Sequence, residues 1–167
     1  MSQETAVLFA NEAFYLTFTN RDADAMDAIW SPRDTVTCIH PGCPPLRGRK
    51  PVVQSWRDIL ANPNAPKITC QNARAYVDAT MAYVLCTEVL AGGQLAATNI
   101  FVIEDGTWKM VHHQAGPMPE TPLEPPVKKP TVQCPGQEAT THRLGLEFET
   151  VSLDWLLHDT STADENH

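Results

Sequence analysis

The chain has 167 residues, 43% hydrophobic and 19% charged, which suits one soluble domain with an extension, large enough to bury a real core. Twelve Lys/Arg against twenty Asp/Glu leave a net charge of −8, which argues against nucleic-acid binding because that affinity rests on basic residues. The start, MSQETAVLFANEAF, lacks the basic region of a signal peptide, and no apolar run approaches the roughly 20 residues needed to cross a bilayer. Cys38, Cys43, Cys70, Cys86 and Cys134 include no C-x-x-C pair, so reduced thiols in a cytoplasmic protein are expected.

In chain order, Gln3 to Thr19 reads as a helix with Ala6, Phe9, Ala10, Ala13 and Thr17 on one face. Asp22 is suited to cap a second, shorter helix carrying Met26, Ile29 and Trp30, which Ser31-Pro32 ends. Thr35 to His40 is β-rich and short, and Pro41 to Pro45 is a rigid turn. Pro51 suits the first turn of a third helix, whose Val52, Trp56, Ile59 and Leu60 repeat on one side.

From Lys67 the period changes to two. Ile68 to Val77 and Met81 to Ala91 read as strands, and Gly92-Gly93 turns the chain into Leu95. Leu95 to Pro117 forms a hairpin about Asp105-Gly106, a pair suited to a two-residue loop because Gly accepts a positive φ. Facing positions across that loop sum to 211, so Ile103 faces Trp108, Phe101 faces Met110, Asn99 faces His112 and Ala97 faces Gln114. Across the diglycine they sum to 185, which sets Cys86 opposite Asn99 and brings Glu88 onto the same face. A one-residue bulge in either hairpin would reverse these assignments.

That face is apolar at Phe101 and Met110 and polar at Glu88, Asn99, His112 and Gln114, as the wall of a ligand pocket needs. His112 is the candidate proton-transfer group, with Glu88 as its orienter or the acid, and Asn99 with Gln114 as groups that fix a ligand oxygen. The competing reading is a structural histidine with satisfied hydrogen bonds. His40 could line the pocket mouth or cap its strand, and Trp30 and Trp56 belong to the core or to the lining. Cys38-x-His40-x-x-Cys43 matches no strong zinc spacing, and no phosphate loop, nucleotide fingerprint or serine-hydrolase elbow is present, so neither metal nor cofactor is expected.

Three helices followed by a hairpin-rich sheet is an α+β pattern in which the helices cover one face of the sheet. NEAFYLTFTNRDADAMDAIW, VTCIHPGCPPLRGRKPVVQSWRDIL and ATNIFVIEDGTWKMVHHQAGP resemble, over residues 3 to 117, the SnoaL-like branch of the nuclear transport factor 2-like superfamily. The resemblance implies a cone with a curved mixed, mostly antiparallel sheet open at one end to a pocket, and a homodimer through the outer sheet face. It also implies a small-molecule binder, or an isomerase, cyclase, dehydratase or hydrolase working by acid/base chemistry on a small apolar substrate. A non-catalytic binding or assembly module is the alternative. The family's last strand commonly reads like WRMVHHHASP; here Gln114 replaces one His and Gly116 replaces Ser. By strand alternation His113 is expected on the outer face. Residues 1–117 thus form the expected cone domain, and 118–167, which opens on a run of prolines, an arm that docks on its own or a partner subunit.

Overall fold

The computed structural model describes residues 1–119, so the arm expected from residue 118 lies, from residue 120 onward, outside the described residues. Three helices, α1 (Gln3–Asn20), α2 (Ala23–Ile29) and α3 (Arg49–Ala61), pack on a six-stranded mixed sheet. Its strands are β1 (Thr37–Ile39), β2 (Leu46–Arg47), β3 (Thr69–Asp78), β4 (Met81–Leu90), β5 (Gly93–Glu104) and β6 (Thr107–Pro117). The spatial order is β2-β1-β6-β5-β4-β3, with β1 parallel to β6 and every other pairing antiparallel. This is the expected α+β class. The two-residue strand β2 lies just after the stretch read as a rigid turn.

Helix α1 starts where Ser2 Oγ accepts from the Thr5 amide, and it ends at Arg21, whose left-handed backbone (φ 55°) closes the last turn. Its buried face overlaps the expected stripe only in part: Thr17 is buried, and Ala6 and Ala10 pack half-buried against the core. Val7, Asn11, Phe14, Tyr15 and Phe18 face the sheet, while Phe9 is 57% exposed. The small alanines obscured the true face because two of its members, Asn11 and Tyr15, are polar. Asp22 caps α2 as expected, accepting from the Ala25 amide at 2.9 Å. On α3, Val52, Trp56 and Leu60 are buried as read, joined by Val53.

Two irregularities bend the sheet. In β3 the register against β4 shifts between Gln71 and Arg74, where Asn72 takes φ 55°. In β6 it shifts so that Phe101 pairs with Met110 but Ile100 pairs with His112. Val111 is thus the extra residue of a bulge, which raises local twist and curls the strand. Asp105 and Gly106 both have positive φ and form the expected two-residue loop.

The sum of 211 therefore holds only beside the loop, at Ile103–Trp108 and Phe101–Met110. Beyond Val111, Asn99 faces His113 and Thr98 faces Gln114. The β4–β5 loop is Ala91-Gly92 rather than the diglycine, so facing positions sum to 183: Cys86 faces Ala97 and Glu88 faces Leu95. That shift is even. Glu88 stays on the inner face with Asn99, whereas the odd shift at Val111 exchanges the faces of His112 and His113.

Candidate functional site

Four elements deliver side chains to one buried polar cluster under the helices. Asn11 and Tyr15 come from successive turns of α1, Cys86 and Glu88 from alternate positions of β4, Asn99 from β5 and His113 from β6. Asn99 is fully buried, and Glu88 and His113 are 3% and 2% exposed. Such groups survive away from water only if they satisfy one another.

They do so in a defined direction. Asn99 Nδ2 donates to Asn11 Oδ1 at 2.7 Å and to the Tyr15 hydroxyl at 3.2 Å. The Tyr15 hydroxyl donates to Glu88 Oε1 at 2.8 Å and lies 3.2 Å from Cys86 Sγ. Asn99 Oδ1 is then left as an acceptor, so the proton of His113 sits on Nδ1 and is donated to it at 2.6 Å. His113 Nε2 keeps its lone pair and stands 4.0 Å from Glu88 Oε1.

Burial sets the charge state. The His113 imidazole is driven down to about 3, first by desolvation and then by His40 and His112 nearby. The Glu88 carboxyl is pushed up to about 7 by burial, against the stabilising hydroxyl of Tyr15. The Tyr15 phenol is raised by burial and by Glu88. At neutral pH the 4.0 Å contact is therefore not an ion pair. It joins a neutral imidazole to a carboxyl poised between its acid and base forms.

Glu88, His113 and Tyr15 form the polar end of a slot walled by Phe14, Phe18 and Trp56, with His40 and Pro41 alongside. Trp56 stands edge-on to Phe14, His40 and His113, with ring centroids 4.7–5.3 Å apart. The slot has about 20 Å³ for the centres of water-sized spheres, room for roughly one water. Among the described residues, the buried Trp56 Nε1 has no hydrogen-bond partner.

The residues singled out from the sequence divide. Glu88 and Asn99 share the cluster, and His40 and Trp56 line the slot, with His40 Nε2 3.0 Å from Ser55 Oγ and its imidazole lowered to about 4 by burial. His112 does not face the slot. It is half-buried on the opposite face, where Nδ1 lies 2.7 Å from the Thr37 hydroxyl. Gln114 is exposed on that same outer face. Trp30, Phe101 and Met110 are at most 1% exposed and fill the core, with Trp30 bridging to Met110. His113, Tyr15 and Asn11 were not anticipated; the i, i+4 spacing of Asn11 and Tyr15 is their only sequence signal.

A curved mixed sheet closed by helices over a polar-floored slot defines the cone fold of the nuclear transport factor 2-like superfamily. The chain belongs to the SnoaL-like domain family, whose model matches residues 7–119. Among solved structures it resembles a candidate dehydratase of the NTF2-like family from Streptomyces avermitilis, 29% identical with a TM-score of 0.62, over 68% of this chain and 95% of that one. It also resembles a candidate calcium/calmodulin-dependent protein kinase type II association domain from Thiobacillus denitrificans, 32% identical with a TM-score of 0.61, over 66% of this chain and 93% of that one. F-box protein SKIP8 of Arabidopsis thaliana is 30% identical over 115 residues, 68% of this chain, and the chain spans half of that relative's length. The fold and family are those of small-molecule-binding or isomerase-type domains. Among the described residues no helix is long and apolar enough to cross a membrane.

Proposed function

We propose that this chain holds a small, largely apolar molecule inside the cone and acts on it by acid/base chemistry, with Glu88 and His113 as the proton-handling pair. The observation that carries the reading is the 4.0 Å approach of Glu88 Oε1 to His113 Nε2 at the end of an aromatic slot. With the Nδ1 proton committed to Asn99, Nε2 can take a proton, and a carboxyl raised to about 7 can give or take one at neutral pH. Asn99 is a positioning residue, and the free Trp56 N–H offers a donor to a ligand oxygen. Isomerisation, cyclisation, dehydration and hydrolysis all need this equipment. At about 20 Å³ the slot must widen to admit a ligand, and its half-buried walls Ile59, Ile68 and Leu90 are the side chains free to yield. The net charge of −8 favours a small molecule over nucleic acid, and the free thiols of the described residues fit a cytoplasmic setting.

The test is a panel of small carbonyl compounds and epoxides, read by turnover and by thermal shift. Turnover retained by His112→Ala and lost at least 100-fold in Glu88→Gln and His113→Asn is the expected result. Equal turnover by wild type and His113→Asn removes the histidine from the chemistry.

A second reading, a dimeric assembly module, is favoured by one observation. On the outer sheet face Tyr76 and Tyr83 stack with ring centroids 4.8 Å apart, flanked by Met81 and Leu85, all 39–46% exposed. A second copy seated there would cover them, and the inner cluster would then serve only to tie α1 to the sheet. Light scattering on the purified chain separates a dimer from a monomer.

A further inference from the structure

A larger recess lies outside the slot, between α1 and β3. It has about 450 Å³, and its walls include Asn11, Tyr15, Ile68 and the half-buried thiol of Cys70. Behind Cys70 lies Cys86, 8% exposed and on the same inner face of the sheet. Cys70 pairs directly with Glu88, and Cys86 is two residues along β4, so the two thiols are diagonal neighbours on the inner face of the sheet. Asn11 Nδ2 donates to Cys70 Sγ at 3.6 Å, and the Tyr15 hydroxyl lies 3.2 Å from Cys86 Sγ.

We propose that Cys70 and Cys86 form a peroxide-reactive dithiol pair, with Cys70 as the attacking sulfur at the α1–β3 groove and Cys86 as the resolving one. In the first step the Cys70 thiolate attacks a hydroperoxide. An S–O bond forms, the O–O bond breaks, and the departing hydroxide or alkoxide takes a proton from water. In the second step Cys86 sulfur attacks Cys70 sulfur. The S–S bond forms, the S–O bond breaks, and the hydroxide leaves as water with the proton of the Cys86 thiol. The two thiols together supply the two electrons that reduce the peroxide.

The asymmetry of the pair follows from its surroundings. Cys70 faces the open groove, and the neighbouring Cys86 thiol and the Asn11 amide, which donates to its sulfur, lower its pKa against burial and the charge of Glu88. Glu12 is the other ionisable group on the groove wall. Cys86 is pushed the other way by Cys70 and by burial. Diagonal neighbours in a regular ladder stand farther apart than the ~4 Å Cβ separation a disulfide needs. Here β3 is the edge strand, and its irregularity between Gln71 and Arg74 begins one residue beyond Cys70. An edge segment released from strict register can move by the distance required. The disulfide would also withdraw the sulfur that Tyr15 contacts, linking oxidation to the Tyr15–Glu88 hydrogen bond.

The test is titration of the reduced full chain with hydrogen peroxide, quenched with an alkylating agent and read by intact mass and peptide mapping. Alkylated after denaturation, the expected product carries two fewer alkyl groups than the reduced chain, with Cys70 and Cys86 peptides linked and the change reversed by dithiothreitol. Cys86→Ser should stop at a Cys70 sulfenic acid trapped by dimedone, and Cys70→Ser should react at least 10-fold more slowly. Mapping of the wild-type chain stands even if a variant folds poorly. Oxidation falling first on Cys43 or Cys134, or Cys70 advancing to sulfinic acid with Cys86 still reduced, overturns the pairing.

Discussion

His113 Nδ1 and Asn99 Oδ1 meet at 2.6 Å across β5 and β6, in a contact that exists only because Val111 bulges out of the ladder. Without that extra residue the inward position would fall to His112, and the network through Asn99, Tyr15 and Glu88 would end on a different ring. The adjacent histidines therefore have separate duties. His113 completes the buried cluster, and His112 bonds Thr37 on the outer face.

His113→Ala should destabilise the chain by about 2–4 kcal/mol, since it opens a cavity and leaves Asn99 Oδ1 buried without its donor. His112→Ala removes one half-exposed hydrogen bond and should cost about 1 kcal/mol or less. Urea midpoints of the two variants decide the matter, and a larger loss at His112 would mean that the bulge is misassigned.

Pairing implies coupling as well as cost. A double-mutant cycle between Asn99→Ala and His113→Ala should give an interaction energy of about 1–3 kcal/mol, whereas Asn99 with His112 should be additive within about 0.5 kcal/mol. The reverse pattern would restore the register in which Asn99 faces His112.

Element types and order were legible in the residues because helix caps and two-residue turns are local chemistry: Asp22 at the start of α2, Asp105-Gly106 at the last hairpin. Glu88 and Asn99 were legible as inward-facing because the β4–β5 loop slipped by an even number, which preserves faces. His113 was not, because the Val111 bulge carries no signature of its own: Met110-Val111-His112 reads as unbroken alternation, and only packing against the helices selects the extra residue. Asn11 and Tyr15 were hidden for a different reason. A hydrophobic-periodicity reading passes over polar residues, and these are inward because partners on β4 and β5 satisfy them.

The buried carboxyl makes stability depend on pH in a direction that can be worked out. Glu88 rises from 4.5 to about 7 on folding, so between those values the folded chain keeps a proton that the unfolded chain has released. Its contribution therefore falls as pH climbs through that window and levels off above about 7. His113 and His40, lowered from 6.5 to about 3 and about 4, act oppositely: stability rises with pH up to about 6.5 as the unfolded histidines lose their protons. Glu88→Gln removes only the falling component. Relative to wild type it should gain on the order of 3 kcal/mol between pH 4.5 and pH 8. Denaturant midpoints of both proteins at pH 5 and pH 8 read the change, and an unchanged difference would mean that Glu88 titrates as an ordinary exposed carboxyl.

The outer face of the sheet yields the last prediction. Tyr83 and Leu85 point away from the core on β4, the first stacked on Tyr76 and the second opposite Arg74 on β3. Neither touches the inner cluster, so replacing Leu85 with Arg should cost the isolated domain within about 0.5 kcal/mol. If a second copy covers this face, that substitution buries an unpaired charge in the contact and costs the association several kcal/mol. Light scattering should then report a dimer for wild type and a monomer for Leu85→Arg at the same concentration, with the circular dichroism spectrum unchanged. A dimer that persists in Leu85→Arg and in Tyr83→Arg would place the contact away from β4, and a wild-type monomer would leave this apolar face uncovered by its own kind.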